Sequence, residues 1–90
     1  STDVVFRTGD SHAIIDENGH RINQSKSISI GNHVWFGNKT MVLKGVNIRD
    51  NSIVAAGSIV TDEFSKSNII IAGNPARVIK ENINWLRQRT

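Results

Sequence analysis

Ile30-Gly31-Asn32-His33-Val34-Trp35, Phe36-Gly37-Asn38-Lys39-Thr40-Met41, Val42-Leu43-Lys44-Gly45-Val46-Asn47 is the stretch whose reading decides the fold. It continues as Ile48-Arg49-Asp50-Asn51-Ser52-Ile53, Val54-Ala55-Ala56-Gly57-Ser58-Ile59 and then Val60 with its followers to Phe64. The opening residue of every six is aliphatic or Phe. The fifth is Val34, Thr40, Val46, Ser52, Ser58 and then Phe64, and the second is mostly small, as at Gly31, Gly37 and Ala55. A helix repeats near 3.6 residues and a half-buried strand at 2, so neither accounts for a sustained period of six.

A period of six is met by a parallel β-helix built from hexapeptides. Each six gives a short strand and a corner. The first side chain points into a narrow prism and stacks on its equivalents in the coils above and below, and burying that column stabilises the whole. The fifth side chain also points inward near the corner, where small or β-branched residues fit. Three sixes make one triangular coil. Ile30 is therefore expected to stack on Ile48, Phe36 on Val54 and Val42 on Val60, in an all-β molecule.

The remaining composition sets bounds. Ninety residues allow one domain with a small core, which favours association of several copies. The chain has no Cys, so thiol chemistry and thiolate metal sites are excluded. Three His at irregular spacing do not suggest a metal site. Lys and Arg number 11 against 8 Asp and Glu, a mild excess that suits an anionic small molecule or simply a soluble surface and is weak evidence for nucleic acid. Nothing in the sequence reads as a signal peptide or membrane span, and a cytoplasmic setting is expected.

Outward from the repeats, Val4-Val5-Phe6 reads as a strand with no cap before it, as though earlier coils preceded it. Thr8-Gly9-Asp10-Ser11 forms a turn ahead of His12, and Ala13-Ile14-Ile15 resumes an apolar strand. Residues 16–27 break the rhythm around Asn18-Gly19, a type I′ turn signal, and are expected to protrude as a loop or hairpin. Ile69-Ile70-Ile71 is a last apolar strand, followed by a turn at Ala72-Gly73-Asn74-Pro75-Ala76. Residues 82–90 have helical spacing, with Ile83, Leu86 and Trp85 toward one face, and are expected to form a short C-terminal α-helix capping the β-helix of residues 1–81.

Three segments carry a resemblance: Ile30-Gly31-Asn32-His33-Val34-Trp35-Phe36-Gly37, Val54-Ala55-Ala56-Gly57-Ser58-Ile59-Val60-Thr61, and Ala72-Gly73-Asn74-Pro75-Ala76-Arg77-Val78-Ile79-Lys80. Together they resemble the C-terminal half of the hexapeptide-repeat acetyltransferases, in the xenobiotic, galactoside and maltose O-acetyltransferase group that includes the capsular-polysaccharide and sialic-acid O-acetyltransferases. The resemblance implies a left-handed parallel β-helix, a homotrimer, and acetyl-CoA bound in a cleft between neighbouring subunits; no metal is expected, on the His spacing already given.

It also implies roles. Asp10-Ser11-His12-Ala13-Ile14 is similar to the segment that carries the catalytic base in the polysaccharide-modifying members. A neutral imidazole can take the proton of an acceptor hydroxyl as it attacks a thioester. Read as structure alone, His12 would satisfy a local turn, and His20 and His33 are its competitors. Trp35, an outward aromatic at a corner, is placed by the resemblance beside the thioester; its plain alternative is subunit packing. Asn38 and Ala56, three hexapeptides apart, would line the cofactor channel, with Gly37, Ala55 and Gly57 keeping its wall thin. Thr61 matches a further cofactor position, although Asp62 stands where the family commonly has Lys. Arg77 and Lys80 would meet the phosphates of CoA, or else form a solvated basic face.

The expected activity is transfer of acetyl from acetyl-CoA to a hydroxyl of a sugar or polysaccharide by direct attack. The alternatives are N-acetylation of an amino sugar, or a non-catalytic trimeric scaffold or binding module.

Overall fold

Side chains six residues apart can share one core only if the backbone turns the same corner after every strand. The computed structural model describes residues 3–10 and 12–87, and there the corner recurs. The fourth residue of successive sixes takes a left-handed backbone conformation: His33 (φ 58°), Lys39 (57°), Gly45 (76°), Asn51 (59°) and Gly57 (74°). One such residue per corner swings the next strand to a new wall of the prism. L-residues adopt this region mainly as single residues, with Gly and Asn favoured.

The strands are two residues long through most of the molecule: β1 (Val5–Phe6), β2 (Ser29–Ile30), β3 (Trp35–Phe36), β4 (Met41–Val42), β5 (Asn47–Ile48), β6 (Ile53–Val54) and β7 (Ile59–Val60). Two longer ones follow, β8 (Ile70–Gly73) and β9 (Ala76–Lys80). They form three walls. The first is β1-β4-β7, the second β2-β5, and the third β3-β6-β8-β9. Glu63 continues the second wall through a parallel bridge to Asn47. Pairing from β1 through β8 is parallel, in the register that the repeat demands: Ile30 opposite Ile48, Phe36 opposite Val54, Val42 opposite Val60. This is the left-handed parallel β-helix of hexapeptide coils.

Coil-to-coil backbone bonds hold each wall. On the third wall Trp35 N donates to Ser52 O (3.0 Å), Gly37 N to Val54 O (2.8 Å), and Ala55 N to Ile71 O (2.9 Å). Inside, Val42, Val46, Ile48, Val54, Val60, Phe64, Ile69, Ile71 and Ala76 make one core. Thr40, Ser52 and Ser58, at fifth positions, are buried with them. Thr40 and Ser52 each donate their hydroxyl to a nearby carbonyl, of Gly37 and Asp50, while Ser58 accepts the Gly73 amide. Buried hydroxyls near a corner are thereby satisfied without a water. Gly37 is fixed by close approach: a Cβ there would fall 2.5 Å from the Ala56 nitrogen of the next coil.

Burial falls toward the lower coil. On one column Val42 and Val60 are fully buried, while Phe6 is 49 % exposed and is covered on one side by Phe36, edge to face at 5.3 Å. The upper end is closed by a hairpin instead of another coil. The turn read at residues 72–76 reverses the chain, and β9 runs antiparallel to β8.

The expected capping helix is not seen: residues 82–87 are not helical, and 88–90 lie outside the described residues. The reason lies in competing bonds. Asn82 has φ 58°, Ile83 N donates to Asn68 O (3.0 Å), Asn68 Nδ2 donates to Ile83 O (2.8 Å), and Asn84 Oδ1 accepts the Trp85 amide. Asn side chains offer the backbone such alternatives to a helical ladder, so the segment runs as an extended strap.

The inserted excursion also differs from its expected outline. Its neck closes at Thr8 and Lys26, where Lys26 N donates to Thr8 O (2.9 Å). Ile14 and Ile15 therefore lie on the outer hairpin, exposed, and not on a core strand. The tip is a turn at Asp16–Gly19 with positive φ at Gly19 and not at Asn18, so it is not the type I′ geometry that Asn-Gly signalled. Asp16 decides it: its carboxylate accepts the Asn18 and His20 amides and fixes a type I-like turn. Among the described residues no helix is long and apolar enough to cross a membrane.

Ile48 tests the register, because it is fully buried at the centre of its column. Ile48→Ala should cost about 2–5 kcal/mol of stability, and Ile48→Asp should abolish the folded state by burying an unpaired charge. Denaturant unfolding followed by circular dichroism checks both. An Ile48→Asp protein unfolding at the parent midpoint would contradict the register.

Candidate active site

His12 sits on the excursion that leaves the prism between β1 and β2, along the edge shared by the first and second walls. Its side chain is exposed. The backbone on either side of it is held by one residue of the opposite hairpin arm, Asn23, which is only 6 % exposed. Asn23 Nδ2 donates to Asp10 Oδ2 (2.8 Å) and to the His12 carbonyl (2.7 Å). Its Oδ1 accepts the Ile14 amide (2.6 Å) and Arg21 Nε–H (3.1 Å). Asp10 in turn accepts Lys44 Nζ at 2.8 Å, from the same edge one coil above. The charge-assisted bond from Lys44, then the one from Asn23, holds the Asp10 carboxyl below the usual carboxylate range.

His33 is engaged elsewhere. Its Nδ1 lies 3.0 Å from Asn51 Oδ1, its equivalent one coil on, and its ring stacks on Trp85 at 3.8 Å between centroids. Trp85 Nε1 also donates to the His33 carbonyl (3.0 Å). His20 is exposed near the hairpin tip, with Nδ1 4.0 Å from Asp16. Among the described residues no group of three or more His, Asp or Glu is placed to hold a metal ion.

Trp35 stands on the third wall, 48 % exposed, with its ring 5.9 Å from that of Trp85. The two line an open cavity of about 590 Å³ together with Val4, Phe6, Phe36 and Leu86. His12 does not line it.

The other candidates fall into two groups. Gly37, Asn38, Ala55, Ala56 and Gly57 come together at the edge between the third and first walls, where Gly57 N donates to Asn38 O (2.9 Å) across the coils. This is the stacking expected of positions 38 and 56. Thr61 is not with them. It lies at the His12 edge and lines an open cavity of about 690 Å³ with Lys26, Lys44, Gly45, Asp62 and Glu63. Arg77 and Lys80 are exposed on β9. Arg77 Nη1 pairs with Asp62 Oδ2 at 2.7 Å, so the acidic residue noted as a departure holds the cation expected to meet phosphate.

Several residues of this region carry no signal in the sequence. Asn23 looks like one more polar residue after a turn, and becomes central only when the two hairpin arms meet. Trp85 reads as helical packing, yet it lies flat on His33. The Lys44–Asp10 pair spans 34 positions, out of reach of any local pattern.

Comparison with known proteins agrees with the fold. The model of the hexapeptide repeat of succinyl-transferase matches residues 27–62. Polysialic acid O-acetyltransferase of Escherichia coli O1:K1 is 43% identical over 86 residues, covering 94% of this chain and 28% of the relative. The crystal structure of a polysialic acid O-acetyltransferase superposes over the whole chain with TM-score 0.96 at 42% identity, and a galactoside acetyltransferase in complex with coenzyme A over 89% with TM-score 0.70 at 34% identity. The chain spans 43% and 42% of those two solved chains.

The Asp10 bonds set a pH dependence. Asp10 has a lower pKa folded than unfolded, where it is near 3.9. Its contribution to stability is therefore fully present above the unfolded value and lost as pH falls through the lower folded one. An NMR titration of the side-chain carboxyls should place the Asp10 midpoint below those of the solvated Asp residues, and Lys44→Met should raise it. An unchanged midpoint in Lys44→Met would remove Lys44 as the cause.

Proposed function

We propose, on the premise that this chain belongs to the hexapeptide-repeat acetyltransferases, that it forms the donor-binding and base-carrying part of an O-acetyltransferase acting on a sugar or polysaccharide. The donor is acetyl-CoA, which suits a cytoplasmic setting. The observation that carries the reading is the match along the whole chain to polysialic acid O-acetyltransferases, with His12 held on an anchored backbone and its ring open to solvent.

In the proposed reaction His12 accepts the proton of the acceptor hydroxyl as its oxygen attacks the thioester carbonyl. The tetrahedral intermediate collapses with loss of the CoA thiolate, which takes the proton back from the imidazolium. Trp35 packs beside the acyl group. Asn38, Ala56 and the glycines near them line the pantetheine channel. Thr61, Arg77 and Lys80 lie toward the nucleotide, where Arg77 exchanges Asp62 for phosphate or bridges both.

In this reading the site draws on more than one copy, and the topology supports it. His12 and Thr61 lie along the edge between the first and second walls. Trp35 and the Asn38–Ala56 edge belong to the third wall and its far edge. A rigid triangular prism keeps these apart. A homotrimer with parallel axes sets the His12 edge of one copy against the Trp35 side of the next, and each closed site then uses two chains.

Subunit mixing in the full polypeptide that carries this sequence tests both parts. His12→Ala alone should lower acetyl transfer to a sugar-acceptor panel by a factor of about 10²–10⁴ with CoA binding retained, and Trp35→Ala should weaken both. Co-refolded in equal amounts, the two impaired variants should give more activity than either alone, with about a quarter of the sites intact after random assembly. No recovery from the mixture would place His12 and Trp35 in sites within one chain. A fully active His12→Ala would end its role as base, and the absence of both CoA binding and turnover in the parent would favour a scaffold.

A further inference from the structure

The base lies on an exposed excursion. A catalytic group displaced by about 1 Å can lose on the order of a hundredfold in rate, so something must fix it. We propose that Asn23 is the positioning residue for His12: its side-chain amide clamps residues 10, 12 and 14 at once and sets where the imidazole is presented. This rests on the reading of His12 as the base.

The argument is one of saturation. An Asn amide has two N–H donors and one oxygen with two acceptor sites. Here all four are used. The donors go to the Asp10 carboxylate and the His12 carbonyl, and the oxygen takes the Ile14 amide and the Arg21 guanidinium. The three partners at 10, 12 and 14 alternate along one arm, so the clamp grips the residue two before the base, the base itself and the residue two after it. Arg21 lies on the other arm beside the Ile15–Arg21 bridge, which ties the clamp to the hairpin ladder. Among the described residues of the excursion Asn23 alone is buried, between exposed neighbours. Such a residue adds little to a hydrophobic core, and the bonds it makes are concentrated on the His12 segment.

No other side chain supplies this set at this length. Asp offers acceptors alone and would place a second carboxylate against Asp10, leaving the His12 carbonyl without its donor. Ala removes all four bonds. Because the excursion is joined to the prism at its neck, loss of the clamp is expected to loosen residues 10–14 without unfolding the coils.

The test is a double-mutant cycle in the full polypeptide, with turnover from acetyl-CoA and CoA affinity measured for the parent, Asn23→Ala, His12→Ala and the pair. Asn23→Ala should reduce kcat by about ten- to a hundredfold with the Kd for CoA within about twofold. In the His12→Ala background it should cost less than about twofold more, because a positioned group that is absent cannot be mispositioned. Asn23→Asp, of the same shape, should repeat the pattern if the Ala variant fails to fold. Amide exchange gives a readout independent of activity: the Ile14 N–H should lose protection in Asn23→Ala while the Val54 and Ile71 amides keep theirs.

Equal losses in both backgrounds would show that Asn23 supports the fold generally and would overturn the proposal. So would a fully active Asn23→Ala alongside an inactive His12→Ala, which leaves His12 as base and removes Asn23 alone. A fully active His12→Ala would instead defeat the reading on which the inference rests, and the inference with it.

Discussion

The molecule depends on one register: a residue and its counterpart eighteen positions later must stack, coil on coil. Strands of two residues have almost no stability of their own. What keeps them in place is that each belongs to two systems at once, a backbone ladder running along its wall and an apolar column running through the prism. Slippage by one residue would turn Ile48 and Val54 outward and put Arg49 and Ala55 in their place. Burial of each such side chain is worth about 1.5–3 kcal/mol, so the cost of slippage is multiplied along every column. The left-handed corners serve the same register, because a corner recurring at every sixth residue is what keeps the three walls straight.

This explains what was legible in the sequence. Where structure repeats, sequence repeats. The six opening positions and the fifth positions are readable because each is constrained by equivalent positions in adjacent coils. The pairs Ile30–Ile48, Phe36–Val54 and Val42–Val60 fell where the period put them. The ends lack that redundancy. Residues 82–87 have apolar spacing compatible with a helix, but local Asn bonds and the stack of Trp85 on His33 outweigh a weak propensity. At the hairpin tip the Asn-Gly signal gave way to Asp16, whose carboxylate caps two amides. Neither outcome follows from periodicity, because each turns on single side chains meeting partners that no repeat specifies.

The candidate site divides the same way. Gly37, Asn38, Ala55, Ala56 and Gly57 are parts of the repeat, and their convergence at one edge is a consequence of it. His12 is outside the repeat. Its position came from the resemblance of a short segment, and its surroundings came from nothing visible before the chain was folded. Asn23, Lys44 and Asp10 are drawn from three separate regions. Thr61 fell on an edge other than that of Asn38, which spacing by sixes does reveal once walls are assigned: 38 and 56 differ by a full coil, whereas 61 has already passed the next strand.

A triangular prism is convex, and convex surfaces make poor sites. Ligands of the size of a nucleotide thioester bind in concavities that cover most of their surface. The walls of this molecule are flat ladders and its edges are outward corners, and the cavities they bound are open ones. Concavity has to come from something added to the prism. One addition is the excursion at Thr8–Lys26, which raises His12 off the first edge. The other is the strap at residues 82–87, which brings Trp85 beside Trp35 on the third wall. They stand on different sides of the prism, so neither can complete the other within one chain. In the proposed homotrimer each excursion would face a neighbour's strap, and the groove between two convex bodies would become the concave site that neither possesses alone. On that proposal the small core that favours association and the chemistry that would use it have one geometric origin.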